Sequence, residues 1–331
     1  MRITREKLIE LARRHAVDAA RETALVSAYL TGSVVSGDPL LGGYADVDLV
    51  LIHETAPPRA REVVPLSDDV HLDVAHHARS RYTNPRALRV DPWLGPAVCE
   101  PAFLYDPDHF FEWAQAGARG QFHRPDHVAA RARAMLEAAR AIAPASASKG
   151  GDWLAGYLEG AMRGANAAAL LTGFPVWGRR FCLSLDERAH SLGHPEVHGG
   201  FVRLMAGEND IAWDLPAWIS AWARAIDLAS ASDHDPDLHP SRRAYYLRGF
   251  QALLEAGHPE STLWHLLVTW LRAIRALRDA GTESDHVPAF QSAREALGLQ
   301  DVDRTARAGD LESYLDHAES LIEDWAVRAG A

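Results

Sequence analysis

The chain is poor in cysteine, poor in lysine and without a long apolar run, and each shortage closes an option. Cys99 and Cys182 are the only cysteines in 331 residues. They cannot build a disulfide framework, and no CxxC or Cys/His zinc spacing exists, so a reducing cytoplasm fits. Lys7 and Lys149 are the only lysines among 34 basic residues. With so much alanine beside the arginines, that bias reads as a GC-rich genome rather than a phosphate-binding surface. The most apolar stretch, Leu263 to Leu277, contains His265, Arg272 and Arg275. It reads as a buried helix of a soluble protein and not a membrane span. The first 22 residues carry charge throughout and lack a signal peptide's apolar centre, so they read as an amphipathic helix. Acidic residues outnumber basic ones, 45 to 34, for a net charge of −11. That balance argues against a broad nucleic-acid surface.

What is present is ordinary globular material: 47% hydrophobic and 24% charged residues, enough for two domains. The first third alternates between helix and strand patterns. A helix over about 3–22 precedes strand candidates at Ser27–Thr31, Asp46–Ile52, Val70–Ala75 and Val98–Tyr105. From about residue 125 onward strand signals vanish. Helical spacing runs from Asp126 to Ala143, and PASASKGG (144–151) reads as a loop. Asp152 is an N-cap candidate for a helix reaching about Leu171. Further helices are expected near 180–192, 215–230, 241–256, 260–280, 286–297 and 309–328. The expected fold class is α+β: a mixed sheet with flanking helices in residues 1–124, then an all-α bundle in 125–331. Residues 1–124 carry a net charge of −3 and the remainder −8. An acidic helical half favours a cationic small molecule over a nucleic acid, and an acidic solvated surface accounts for it equally well.

One segment concentrates chemistry. A strand runs into Gly32-Ser33, and after a spacer of twelve residues Asp46-Val47-Asp48 opens another strand. Alternation puts Asp46 and Asp48 on one face. Two adjacent carboxylates repel unless a cation sits between them, and hard oxygen donors suit Mg²⁺. In Val70–Val74, Val70, Leu72 and Val74 would face the core and leave His71 and Asp73 on the other side. If that strand pairs beside Asp46–Ile52, three carboxylates converge in the manner of a two-metal site. Gly32 allows close backbone approach, and Ser33 adds a hydroxyl donor to an anion-binding turn.

This order of elements resembles the polymerase β-like nucleotidyltransferase superfamily, over about residues 25–110. The family pattern is a hydrophobic residue, Gly and Gly or Ser, then a DxD pair, then a third acid on a neighbouring strand. Thr31-Gly32-Ser33, Asp46-Val47-Asp48 and Leu72-Asp73-Val74 match it, with Thr31 and Ala45 as departures. The resemblance implies that Asp46, Asp48 and Asp73 hold two Mg²⁺ ions. It also implies that Gly32 and Ser33 carry the phosphates of an NTP, with ATP the first choice. An NMP would pass to a hydroxyl of a small, aminoglycoside-like acceptor, releasing pyrophosphate.

The segment Tyr157 to Gly173 resembles the first helix of the helical domain in kanamycin-type aminoglycoside nucleotidyltransferases. That likeness implies Glu159 as general base and Arg163 as a triphosphate contact, with Asn166 one turn on. An i, i+4 Glu–Arg pair is also what a plain surface ion pair looks like, and Asp73 could take the acceptor proton instead. His76-His77 is a poor metal pair because adjacent strand residues face opposite ways. Arg179-Arg180 is either a phosphate contact or a surface or structural cluster. Trp213, Trp218, Trp222, Trp264 and Trp270 read as core. Two other functions stay open: modification of tRNA or protein, or a non-catalytic nucleotide-binding, antitoxin-like module. The acceptor, the base preference and the oligomeric state, a homodimer among the options, are not legible.

Overall fold

The computed structural model describes residues 3–147, 153–207, 213–232 and 235–331. The chain divides into two compact units, Met1–His123 and Arg124–Ala331.

The first unit is α+β. In chain order it comprises α1 (Arg5–Glu22), β1 (Leu25–Leu30), α2 (Ser33–Ser36), β2 (Ala45–His53), β3 (Arg61–Ser67) and β4 (Val70–Ala78). Then follow α3 (Pro85–Val90), α4 (Leu94–Cys99), β5 (Ala102–Tyr105) and α5 (Phe110–Arg119). The sheet order is β3-β4-β2-β1-β5. Only β2 and β4 run parallel; the other neighbours are antiparallel, so the sheet is mixed. Period-2 alternation explains which face is buried where. Ala45, Val47, Leu49 and Leu51 join Val70, Leu72 and Val74 in one apolar layer. Leu8, Ala12 and Ala16, one per helical turn of α1, close that layer.

The opposite face changes character along its length. At one end lie Asp46 and Asp48. At the other, Tyr29 stacks on Phe111 of α5 at 4.3 Å between ring centroids. There Tyr29 and Tyr82 exchange a hydroxyl–hydroxyl bond of 3.0 Å, and His77 Nδ1 sits 2.5 Å from Tyr82 Oη. Burial pushes both tyrosine hydroxyls up and pulls His77 down to about 4. Burial opposes the charged imidazole, so protonating His77 costs the folded state more than the unfolded one. Stability is therefore fully present above the ordinary histidine value. It falls as pH drops from about 6.5 toward 4, by roughly 2–3 kcal/mol after allowing for partial exposure. Urea unfolding at pH 7.5 and 4.5 checks this; His77→Gln should flatten the difference, and an unchanged acid loss in that variant would refute the assignment.

Two elements differ from the sequence reading. Val98 and Cys99 end a helix, and the strand begins only at Ala102. The additional strand β3 carries Pro65, which an edge position tolerates because its missing N–H is not needed there.

The second unit is all-helical among its described residues. Its helices are α6 (Pro125–Ala147), α7 (Trp153–Ala169), α8 (Phe181–Leu192), α9 (Glu196–Ala206), α10 (Leu215–Ser232), α11 (Pro240–Glu255), α12 (Pro259–Asp279), α13 (Val287–Ala296) and α14 (Arg304–Ala329). Helix α6 continues to Ala147, so the expected loop starts later than residue 144; the rest of that loop and Asp152 lie outside the described residues. Helix α9 was not expected, because Gly199-Gly200 weakens the helical signal. A Cβ at Gly200 would come 2.9 Å from the Tyr314 ring, and one at Gly164 would meet Tyr314 at 3.2 Å. Glycine at these two positions lets α7 and α9 pack closely against α14. Trp218, Trp222, Trp264 and Trp270 are core, whereas Trp213 is only half-buried. No helix among the described residues is long and apolar enough to cross a membrane.

Candidate functional site

The candidate site lies where β1 ends and β2 begins. Leu30 pairs with Leu49, and the next N–H, of Thr31, donates to Asp48 O at 3.0 Å. The chain then turns at Gly32, with φ +71° and ψ −156°, a combination that belongs almost only to glycine. That turn starts the single-turn helix α2, whose first N–H groups have no partner within the helix. A Cβ at Gly32 would fall 2.8 Å from Asp48 Cγ, well inside contact. The bare backbone of the turn and the Asp48 carboxylate thus occupy neighbouring space. The loop returns through Leu41–Tyr44, where Gly42 and Gly43 both take positive φ, and delivers Asp46 on β2.

Parallel register then sets the third carboxylate. Asp48 pairs with Asp73, and Asp46 with His71. Pairs in adjacent strands share a face, with backbones about 4.8 Å apart. Asp46, Asp48 and Asp73 are therefore on one face, the side away from α1, and Val70, Leu72 and Val74 occupy the core side. Asp73 is nine-tenths buried. Arg61, on edge strand β3, grips it with two nitrogens: Nε donates to Oδ1 at 2.6 Å, and Nη2 to Oδ2. With Asp73 turned to that guanidinium, no three His, Cys, Asp or Glu side chains among the described residues gather tightly enough to ligate one ion. The donor set still fits a hard divalent cation in chemistry. Three carboxylates share a face, their repulsion calls for positive charge, and Arg61 supplies it at Asp73.

Arg61 is the site residue that sequence reasoning missed. The signal was there in the Asp68-Asp69 turn between β3 and β4. A hairpin at that turn brings β3 against β4, with Val63 opposite Asp73 and Arg61 two residues further on the same face.

His76 and His77 do face opposite ways. His76 Nε2 lies 3.0 Å from Glu62 Oε1, and its Nδ1 lies 2.9 Å from His53 Nε2, on the α1 side. His77 belongs to the tyrosine side.

In the second unit, Glu159 and Arg163 share one face of α7 and pair with each other, Nε to Oε1 at 2.6 Å. Glu159 also lines a cavity of about 650 Å³, with Met162, Trp264, Arg272 and Arg275 among its walls. Half-exposed i, i+4 pairs contribute little, so Glu159→Gln should change unfolding free energy by under about 1 kcal/mol. A loss above 2 kcal/mol in chemical denaturation would make the residue structural. Asn166 is fully buried; its Oδ1 accepts from Val176 N–H at 2.6 Å, so it holds the chain after α7 rather than a ligand. Arg179 is also structural. It is buried, lies 3.5 Å over the Tyr245 ring and donates to that residue's carbonyl oxygen at 2.9 Å.

No protein-family model matches the chain, and no curated protein matches it.

Proposed function

We propose that the chain is a Mg²⁺-dependent nucleotidyltransferase with a polymerase β-like catalytic unit, moving an NMP from an NTP, ATP first, to a hydroxyl of a small acceptor. One observation carries the reading: the parallel register that sets Asp48 beside Asp73, next to a glycine turn with no room for a side chain. Asp46, Asp48 and Asp73 would hold the cations, which when bound neutralise the triphosphate. Gly32 and Ser33 would take the phosphates at the turn. The acceptor oxygen attacks the α-phosphorus in line, the bond to the β-phosphate oxygen breaks, and pyrophosphate leaves. The acceptor proton passes to a carboxylate, Asp73 in the first unit; Glu159 and Arg163 of the second unit keep the base and triphosphate roles only as the resemblance implies them. The acidity of the second unit's sequence favours a cationic acceptor.

Incubation with each NTP, Mg²⁺ and a library of polyhydroxylated amines tests this. The expected result is a product heavier by one nucleotide, with one pyrophosphate released per product. The bidentate hold of Arg61 on Asp73 is the observation that favours a second reading, a nucleotide-binding module without turnover. NTP binding with no pyrophosphate release from any acceptor class, tRNA and protein included, would select it.

A further inference from the structure

We propose that Arg61 is a positioning residue that occupies Asp73 in place of a divalent cation, so that cation binding requires the guanidinium to let go. The inference rests on reading Asp46, Asp48 and Asp73 as cation ligands, and adds a residue and a competition that this reading does not contain.

The geometry is that of two partners for one carboxylate. Both Asp73 oxygens are engaged by Arg61, a fork-to-fork arrangement that is stronger than a single charged hydrogen bond. The same carboxylate is in register with Asp48 on the adjoining strand. Each oxygen keeps a second lone pair, but the two-nitrogen hold turns the carboxylate toward Arg61 and sets a positive charge beside any cation shared with Asp48. The two partners of the pair differ in freedom. Asp73 sits on β4, flanked by strands on both sides, and is nine-tenths buried. Arg61 sits on the edge strand, and its side chain is about a third exposed, at 36%. The guanidinium can swing toward water while the carboxylate stays in place. Charge balance gives the exchange its direction. Without a cation, three carboxylates on one face need a positive partner, and the guanidinium supplies it. Two divalent ions, as the proposed site would hold, bring four positive charges against three negative ones, and the guanidinium is then repelled rather than needed.

Mn²⁺ alone, without nucleotide or acceptor, is the probe, with free Mn²⁺ followed by electron paramagnetic resonance. Arg61→Gln should bind Mn²⁺ about 10- to 100-fold more tightly than the wild type, the factor expected for removing a competing charged hydrogen-bonded pair. Asp48→Asn should abolish binding in both backgrounds. Equal or weaker binding by Arg61→Gln, with Asp48→Asn still abolishing it, overturns the role of Arg61 and leaves the cation reading standing. No Mn²⁺ binding by either protein overturns both. If Arg61→Gln does not fold, the wild type answers by itself. The Arg61 Nε–H resonance, assigned by its absence in Arg61→Lys, should be protected from solvent exchange before Mg²⁺ is added and lose that protection as Mg²⁺ binds. A resonance still protected at saturating Mg²⁺ overturns the proposal.

Discussion

Asp48→Asn is expected to lower kcat/KM for the proposed nucleotidyl transfer by about a thousandfold or more, with the fold intact. The substitution is isosteric and leaves the backbone carbonyl that accepts from Thr31 N–H untouched, so strand β2 and the Gly32 turn remain. What is lost is one negative charge and one hard oxygen donor. Metal-based charge stabilisation in the transition state is worth several kcal/mol, and each 1.4 kcal/mol is about tenfold in rate. Asp48 is the better position than Asp46 because it is both the register partner of Asp73 and the neighbour of the Gly32 backbone. A change confined to KM would indicate that ground and transition states lost the same binding energy. Retention of activity within tenfold, with an unchanged circular dichroism spectrum, would remove Asp48 from the chemistry.

Different parts of the molecule were legible in the sequence to different degrees, and the reasons are physical. The face on which Asp46, Asp48 and Asp73 lie follows from alternation alone, because a two-residue period fixes side-chain direction once a strand exists. Their mutual distance did not follow, since it depends on β2 and β4 being neighbours. That adjacency arises from β3, which crosses to the edge and returns through the Asp68-Asp69 hairpin. β3 itself was missed because Pro65 interrupts it and because an edge strand shows weak alternation. With the strand went its most consequential side chain, Arg61. In the helical unit, long periodic segments such as Pro259–Asp279 announced themselves. Helix α9 did not, because tertiary packing of Gly200 against Tyr314 overrides a poor local propensity. The Glu159–Arg163 pair formed as its spacing foretold. Spacing sets that pair, and says nothing of whether a substrate meets it.

Gly32→Ala should be among the most damaging single substitutions in the first unit, by about 4 kcal/mol of stability together with loss of the proposed cation and nucleotide binding. Two costs add. The φ of +71° with ψ of −156° is a region that side-chain-bearing residues occupy at a cost of about 1–3 kcal/mol. The new methyl would also lie 2.8 Å from Asp48 Cγ, a clash with a side chain anchored on a central strand, costing about another 1–3 kcal/mol in forced displacement. The second cost is the informative one, since it moves the carboxylate that the first prediction addresses. Gly43→Ala separates the two. Gly43 also has positive φ, +81°, but a Cβ there meets nothing within 4 Å, so only the backbone penalty applies. Thermal denaturation and Mn²⁺ titration of the two variants give the comparison. Gly43→Ala should lose modest stability and keep its cation affinity, whereas Gly32→Ala should lose both. Equal Mn²⁺ affinities in the two variants would mean that the turn and the Asp48 carboxylate are not coupled, and the phosphate and cation roles assigned to this corner of the sheet would have to be separated.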